Sequence, residues 1–185
     1  MTDAVDCGDE VAAWFSAVLG VPDLRLVRMP DGHRRPVSGG SKGHTGVVSF
    51  ADGYPVLLAS ESSREAVRAH AGLSHVSMRR FRPNVVVEAP DLAPFEEMRW
   101  RHVELGDVAF DAPIECRRCQ VPRIDPASGV PDSLPEKQPT TALNTLTKNH
   151  FGVYLTPLLQ GRGCTGATIR TGDHVRVVRT ERKLA

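Results

Sequence analysis

The stretch Val103-Glu104-Leu105-Gly106-Asp107-Val108-Ala109-Phe110 decides the fold class. Two short apolar runs flank a Gly-Asp pair, the signature of strand, tight turn, strand. The punctuation returns at Thr171-Gly172-Asp173, ahead of an apolar run over His174–Val178. Further runs at Leu24–Met29, Val47–Phe50, Val56–Ala59 and Phe151–Leu155 read as strands, and Val85-Val86-Val87 reads as a buried one. Many short strands with turn signals between them predict a mainly β (α+β) fold, barrel-like, with a few flanking helices. Strands and helices do not keep alternating, which argues against a doubly wound parallel sheet.

The helices are few. Val11, Trp14, Phe15, Val18 and Leu19 fall on one helical face, which reads as core. Asp6 is its expected N-cap, Asp9 and Glu10 suit its positive end, and Gly20 and Pro22 stop it. Ser62-Ser63-Arg64-Glu65 reads as a capping box that opens a second helix ending at Gly72. Residues 30–45 and 126–149 read as long loops, the second with weak helical character at Leu143–Leu146. Residues 1–185 are expected to form a single domain.

A chain of 185 residues can bury a real core. The formal net charge of +1 implies no bulk attraction to nucleic acid or an anionic membrane. Four cysteines, at 7, 116, 119 and 164, are too few and too uneven for a disulfide scaffold. Residues 1–10 are acidic and polar, without the basic-then-apolar pattern of a secretory signal, and no apolar run approaches the ~20 residues a membrane span needs. The expectation is a cytoplasmic protein, and heavy Arg, Ala and Val usage suggests a bacterial one. Gly39-Gly40-Ser41-Lys42-Gly43 lacks Walker spacing, since Lys42 precedes Gly43 and no helix follows.

The chemistry-bearing candidates begin with Cys116-Arg117-Arg118-Cys119. Two thiols three apart hold a metal, form a redox disulfide, or leave one thiol as ligand or nucleophile. The arginines between them favour thiolate. Zinc wants a second close pair, which is missing, and Pro122 argues against the helix of a thioredoxin-type site. Two ordinary thiols remain the plain alternative. Arg82, before Pro83 and therefore expected to be extended, offers a planar fork to a phosphate or carboxylate, or pairs with Glu88 or Glu97. Asn84 adds a donor and an acceptor beside it. Asp52-Gly53 is first of all a turn. Gly152 permits a close backbone approach, and Tyr154 supplies a hydroxyl.

Taken together, the pieces resemble a MOSC domain, the molybdenum-cofactor sulfurase C-terminal type, in its amidoxime-reducing branch. They are Asp6-Cys7-Gly8, Asp52-x-x-Pro55, Ser60-Glu61-x-Ser63, Phe81-Arg82-Pro83-Asn84-Val85, Trp100 before Leu105-Gly106-Asp107, Cys116-x-Arg118-Cys119 with Asp125-Pro126-x-x-Gly129, Phe151-Gly152-x-Tyr154 and Thr171-Gly172-Asp173. The order holds over nearly the whole chain. The resemblance implies a MOSC-type β-barrel and a molybdenum–molybdopterin cofactor with Cys119 as the metal ligand. It implies Arg82, Asn84, Gly53, Arg117, Arg118 and Tyr154 as cofactor contacts, and Asp52 as an acid beside the metal that moves protons. The implied reaction is reduction of a small N-hydroxylated substrate, with electrons from a separate donor of ferredoxin, flavin reductase or cytochrome type. The non-catalytic alternative is a cofactor or sulfur carrier using a persulfide on Cys119. Pyridoxal phosphate binding is a broader association of the family.

The family's N-terminal β-rich subdomain, with a Lys-Ser pair and an arginine that also grip the cofactor, is expected to be absent here. Nor does the chain carry a ferredoxin-like segment with Cys-x4-Cys-x2-Cys spacing. No nucleic acid and no membrane are expected as partners.

Overall fold

The computed structural model describes residues 3–38, 44–132, 134, 138–158 and 167–180. Ser41, Lys42 and Cys164 lie outside the described residues. The chain forms two compact units, Met1–Gly53 and Tyr54–Ala185.

In the first unit, β1 (Val5–Asp6) pairs antiparallel with β2 (Val27–Arg28), and α1 (Asp9–Leu19) lies between them in sequence. Gly20 ends α1 in a left-handed conformation, as its sequence signals. The N-cap is Gly8 and not Asp6. The Asp6 carboxylate accepts the Gly8 N–H at 2.7 Å and pairs with Arg25 at 2.7 Å, so it braces the turn before the helix. The expected core face is open: Trp14, Val18 and Leu19 are each about 60% exposed, and Ala12 is the buried residue of α1. Periodicity finds a helix, but burial needs an opposing apolar element, and two-residue strands offer little. The expected strand over Val47–Phe50 is reduced to one bridge, Pro36 to Val47.

The second unit is built on a curled six-stranded mixed sheet, a half-barrel in the order β4-β3-β7-β6-β5-β8. Its strands are β3 (Val56–Ser60), β4 (Val85–Val87), β5 (Trp100–Leu105), β6 (Val108–Arg117), β7 (His150–Pro157) and β8 (Val175–Thr180). The mainly β (α+β) expectation holds, and β5 and β6 form the hairpin that Gly106-Asp107 signals. β3 and β4 are parallel, and the other pairs are antiparallel. β4 is an edge strand, so Val86 is exposed and the expected burial applies to Val87.

The cap of α2 (Glu61–His70) lies two residues before the expected one, Ser62. Ser60 is the N-cap, and its Oγ accepts the Ser63 N–H. The segment expected to be a loop at 126–149 contains α3 (Pro139–Thr147), which buries Ala142 and Leu143. Pro139 suits the first turn of a helix, where no N–H is needed.

Apolar side chains leave the sheet to two cores. Leu58, Val153 and Leu155 join Trp100 and Phe110 in one. Ala59 and Phe151 join Phe81, Val67 and Leu143 in the other. Phe151 and Val153 are two apart, yet they enter different cores. Gly152, at φ 74°, is the reason: a left-handed residue inside β7 breaks the strict alternation. A Cβ at that position would run into the Leu58 carbonyl oxygen, so the close approach expected of Gly152 is real.

Candidate functional site

The Cys-Arg-Arg-Cys segment leaves the end of β6. Arg117 is paired with His150 of β7, and the Arg118 N–H donates to the Asn149 carbonyl at 2.8 Å. The Asn149 side-chain nitrogen donates back to the Arg118 carbonyl at 2.7 Å. The backbone is therefore extended through Arg118, and side chains alternate. Cys116 is buried, Arg117 exposed, Arg118 half-buried and Cys119 exposed. Both thiols are free.

Arg118 faces inward with Cys116. Its Nη1 donates to the Cys116 Sγ at 2.9 Å, and its Nη2 donates to the Phe81 carbonyl at 2.8 Å. Its Nε is sealed from solvent and has no hydrogen-bond partner among the described residues. The Phe81 ring stacks on Phe151, with centroids 3.9 Å apart. Arg118 thus ties the end of β6 to the segment that leads into Arg82.

That segment is tied a second time. Arg80, only 8% exposed, donates to the carbonyls of Pro122 and Arg123, to both oxygens of Asp132 at 2.8 and 3.0 Å, and to Asp125 at 3.0 Å. The Asp125 carboxylate also accepts the N–H groups of Ala127 and Ser128. The Ser128 and Ala127 bonds, with the nearby Arg80 charge, hold it below its ordinary range. Gly129, at φ 72°, completes the Asp-Pro-x-x-Gly turn. Pro122 opens a single tight helical turn, Val121–Arg123, rather than a helix.

A cleft of about 600 Å³ is lined by Met78, Arg79, Arg82, Pro83, Val86 and Pro126, most of them close in sequence to the tied residues. Arg82 is not extended as its place before proline suggests. Its φ is 54°, the left-handed region. A bulky residue there is strained and persists only where its surroundings hold it. Among the described residues, no hydrogen bond or ion pair engages the side chains of Arg79, Arg82 or Arg117.

The remaining expected residues sit as follows. Asn84 extends the sheet: its Oδ1 accepts the Leu57 N–H and its own N–H donates to the Leu57 carbonyl, both at 2.8 Å. Tyr154 lies across from Leu57 on β7 and stacks on Tyr54 at 4.7 Å. Asp52 and Gly53 belong to the first unit. Arg35 gathers the carbonyls of Ser49, Ala51 and Asp52 at 2.7, 2.8 and 3.1 Å, and the Gly53 carbonyl accepts the Ser38 N–H. A Cβ on Gly53 would meet the Ser38 Oγ at 2.8 Å, so the turn is closely packed.

Glu97, a suggested partner for Arg82, is fully buried elsewhere. It bonds the hydroxyls of Ser60 and Ser63 at 2.8–2.9 Å, and burial raises its pKa. Sequence reasoning did not find Arg80, Asn149 or Arg35, because their partners are backbone carbonyls or acids far along the chain. Among the described residues no three His, Cys, Asp or Glu side chains converge as a metal site. No described helix is long and apolar enough to cross a membrane.

A family model for the MOSC domain matches residues 45–176, which take in every candidate site residue. The chain belongs to the MOSC family. Molybdenum cofactor sulfurase of Drosophila pseudoobscura pseudoobscura is 30% identical over 175 residues, covering 95% of this chain and 21% of that protein. Mitochondrial amidoxime-reducing component 1 of Mus musculus is 32% identical over 146 residues, covering 76% of this chain and 40% of that protein. Component 2 of Bos taurus is 32% identical, with 76% and 41% covered. This MOSC chain therefore spans about a fifth of the sulfurases and two fifths of the amidoxime-reducing proteins.

Proposed function

We propose that this MOSC chain binds the molybdenum cofactor through the Cys119 thiolate and reduces N-hydroxylated compounds. The observation that carries the reading is the division of the cysteine pair. Cys116 is committed to the interior, while Cys119 is exposed at the end of a strand tied to the Arg82 cleft. One soft thiolate suits a metal whose other ligands come from a cofactor. Arg82 and Arg117, whose side chains have no partners among the described residues, fit an anionic group.

Cys119 would hold the metal, and Arg82 and Arg117 would bind the cofactor phosphate by charge-assisted hydrogen bonds. Asn84 has its side-chain nitrogen to donate, while Gly53 and Tyr154 are further contacts and Arg118 supports the site. When bound, the group supplies two-electron chemistry that takes oxygen from the substrate nitrogen. The balance is R–NH–OH + 2e⁻ + 2H⁺ → R–NH2 + H2O. A separate ferredoxin, flavin reductase or cytochrome-type protein provides the electrons. Asp52, the acid the family resemblance implies, would take or deliver a proton in the reaction.

The test is metal and pterin content after expression in a molybdenum-replete host. Near-stoichiometric molybdenum and pterin, with the metal lost in Cys119→Ala, supports the reading. Wild-type protein that stays empty or holds zinc refutes it for this chain. The exposure of Cys119 and the sulfurase relatives favour one second reading, a carrier that holds sulfur as a Cys119 persulfide. A gain of ~32 Da at Cys119 without molybdenum would support it.

A further inference from the structure

We propose that Arg118 is a positioning residue that presents Arg82 to its cleft, rather than a direct grip on the bound anion. This rests on the reading of Arg82 as an anion contact. Both Nη atoms of Arg118 are committed, one to the buried Cys116 sulfur at 2.9 Å and one to the Phe81 carbonyl at 2.8 Å. Its backbone is held on both sides by Asn149.

The carbonyl it holds belongs to the peptide that joins Phe81 to Arg82. At the other end of Phe81, the ring is buried and stacked on Phe151. With the ring and the carbonyl both fixed, the chain reaches Pro83 by placing Arg82 at φ 54°. The residue before proline resists helical conformations, and L-residues resist the left-handed region. A charge-assisted bond to that same peptide is what holds the conformation. Arg82 then lines the cleft together with Met78, Arg79, Pro83, Val86 and Pro126.

The test uses the isotope-labelled chain of residues 1–185 as wild type, Arg118→Gln, Arg118→Lys and Arg82→Ala. Two quantities are read: the φ-dependent amide coupling of Arg82, and the affinity for inorganic phosphate. Arg118→Gln should move the Arg82 coupling out of its left-handed value. It should also weaken phosphate by about 10–100-fold, the loss of one charged hydrogen bond. Arg118→Lys, which keeps the charge but reaches one acceptor, should restore part of both, and it replaces the glutamine variant if that does not fold. Phosphate binding that falls while the Arg82 coupling stays fixed would make Arg118 a direct clamp and overturn the proposal, as would no change in either quantity. A coupling that moves in Arg118→Gln while even wild type ignores phosphate keeps the positioning role and refutes the anion-contact reading of Arg82.

Discussion

Glu97→Gln tests whether a carboxyl group sealed in this core is neutral. Three oxygen–oxygen contacts close a ring: Glu97 to Ser60 at 2.9 Å, Ser60 to Ser63 at 2.7 Å, and Ser63 back to Glu97 at 2.8 Å. An ionised Glu97 leaves two protons for three contacts, so one pair of oxygens repels. A neutral Glu97 supplies the third proton. Burial raises its pKa above the ordinary 4.5, with the serine bonds opposing. The neutral form's stabilisation is fully present below 4.5, and it is lost as pH climbs from there through the raised folded value. The slope cannot exceed about 1.4 kcal/mol per pH unit, so the loss by pH 7 is at most about 3.4 kcal/mol. Glutamine keeps the ring, because its amide donates to Ser60 and its carbonyl accepts from Ser63. Urea unfolding of Glu97→Gln and wild type should agree within about 1 kcal/mol near pH 4. The variant should gain on wild type as pH rises. A variant weaker by about 2 kcal/mol or more at pH 7, with the gap closing toward pH 4, would show that Glu97 is ionised and the proton count is wrong.

Gly152→Ala should cost about 2–5 kcal/mol in chemical denaturation, since it adds a clash with the Leu58 carbonyl to a left-handed backbone. Arg80→Gln should cost about 2–4 kcal/mol and speed proteolytic cleavage within 121–132, because two acids and two carbonyls lose their shared donor. Asp125→Asn should flatten the acid limb of the stability curve. The lowered folded pKa of Asp125 contributes stability above its ordinary 3.8 that is lost as pH falls through the folded value.

Strand and turn signals along the sheet were legible because they are local. Gly106-Asp107 makes its hairpin, and Val56–Ala59 sits within β3. Helix α1 was legible as a helix but not as an exposed one, because periodicity says nothing about whether a partner surface exists. The cap of α2 was misplaced by two residues, since Ser60 and Ser62 both carry hydroxyls that could cap it and the buried Glu97 engages Ser60. Arg82 escaped local reasoning altogether. Its residue type and the following proline both argue against a left-handed backbone, and the forces that impose it come from Phe151 and Arg118. Family resemblance named Arg82 and Cys119, but it could not divide labour between Arg117 and Arg118.

That division follows from strand geometry. In a turn or at a helix start, a Cys-x-x-Cys pair can face one side, as a zinc chelate or a disulfide requires. Here pairing persists through Arg117 and on to the Arg118 N–H. Side chains alternate, so Cys116 and Arg118 go inward while Arg117 and Cys119 are exposed. The inward thiol has an occupation of its own, since it accepts a guanidinium and donates to the Arg117 carbonyl at 3.7 Å. Removing it with Cys116→Ala would leave an Arg118 Nη without its partner, beside an Nε that already lacks one. The charged group would then turn from Phe81 or draw in water, and Arg82 would lose its support. On the proposed reading the two cysteines serve one site by different physics: Cys119 would act by reactivity, and Cys116 by fixing an arginine that fixes another.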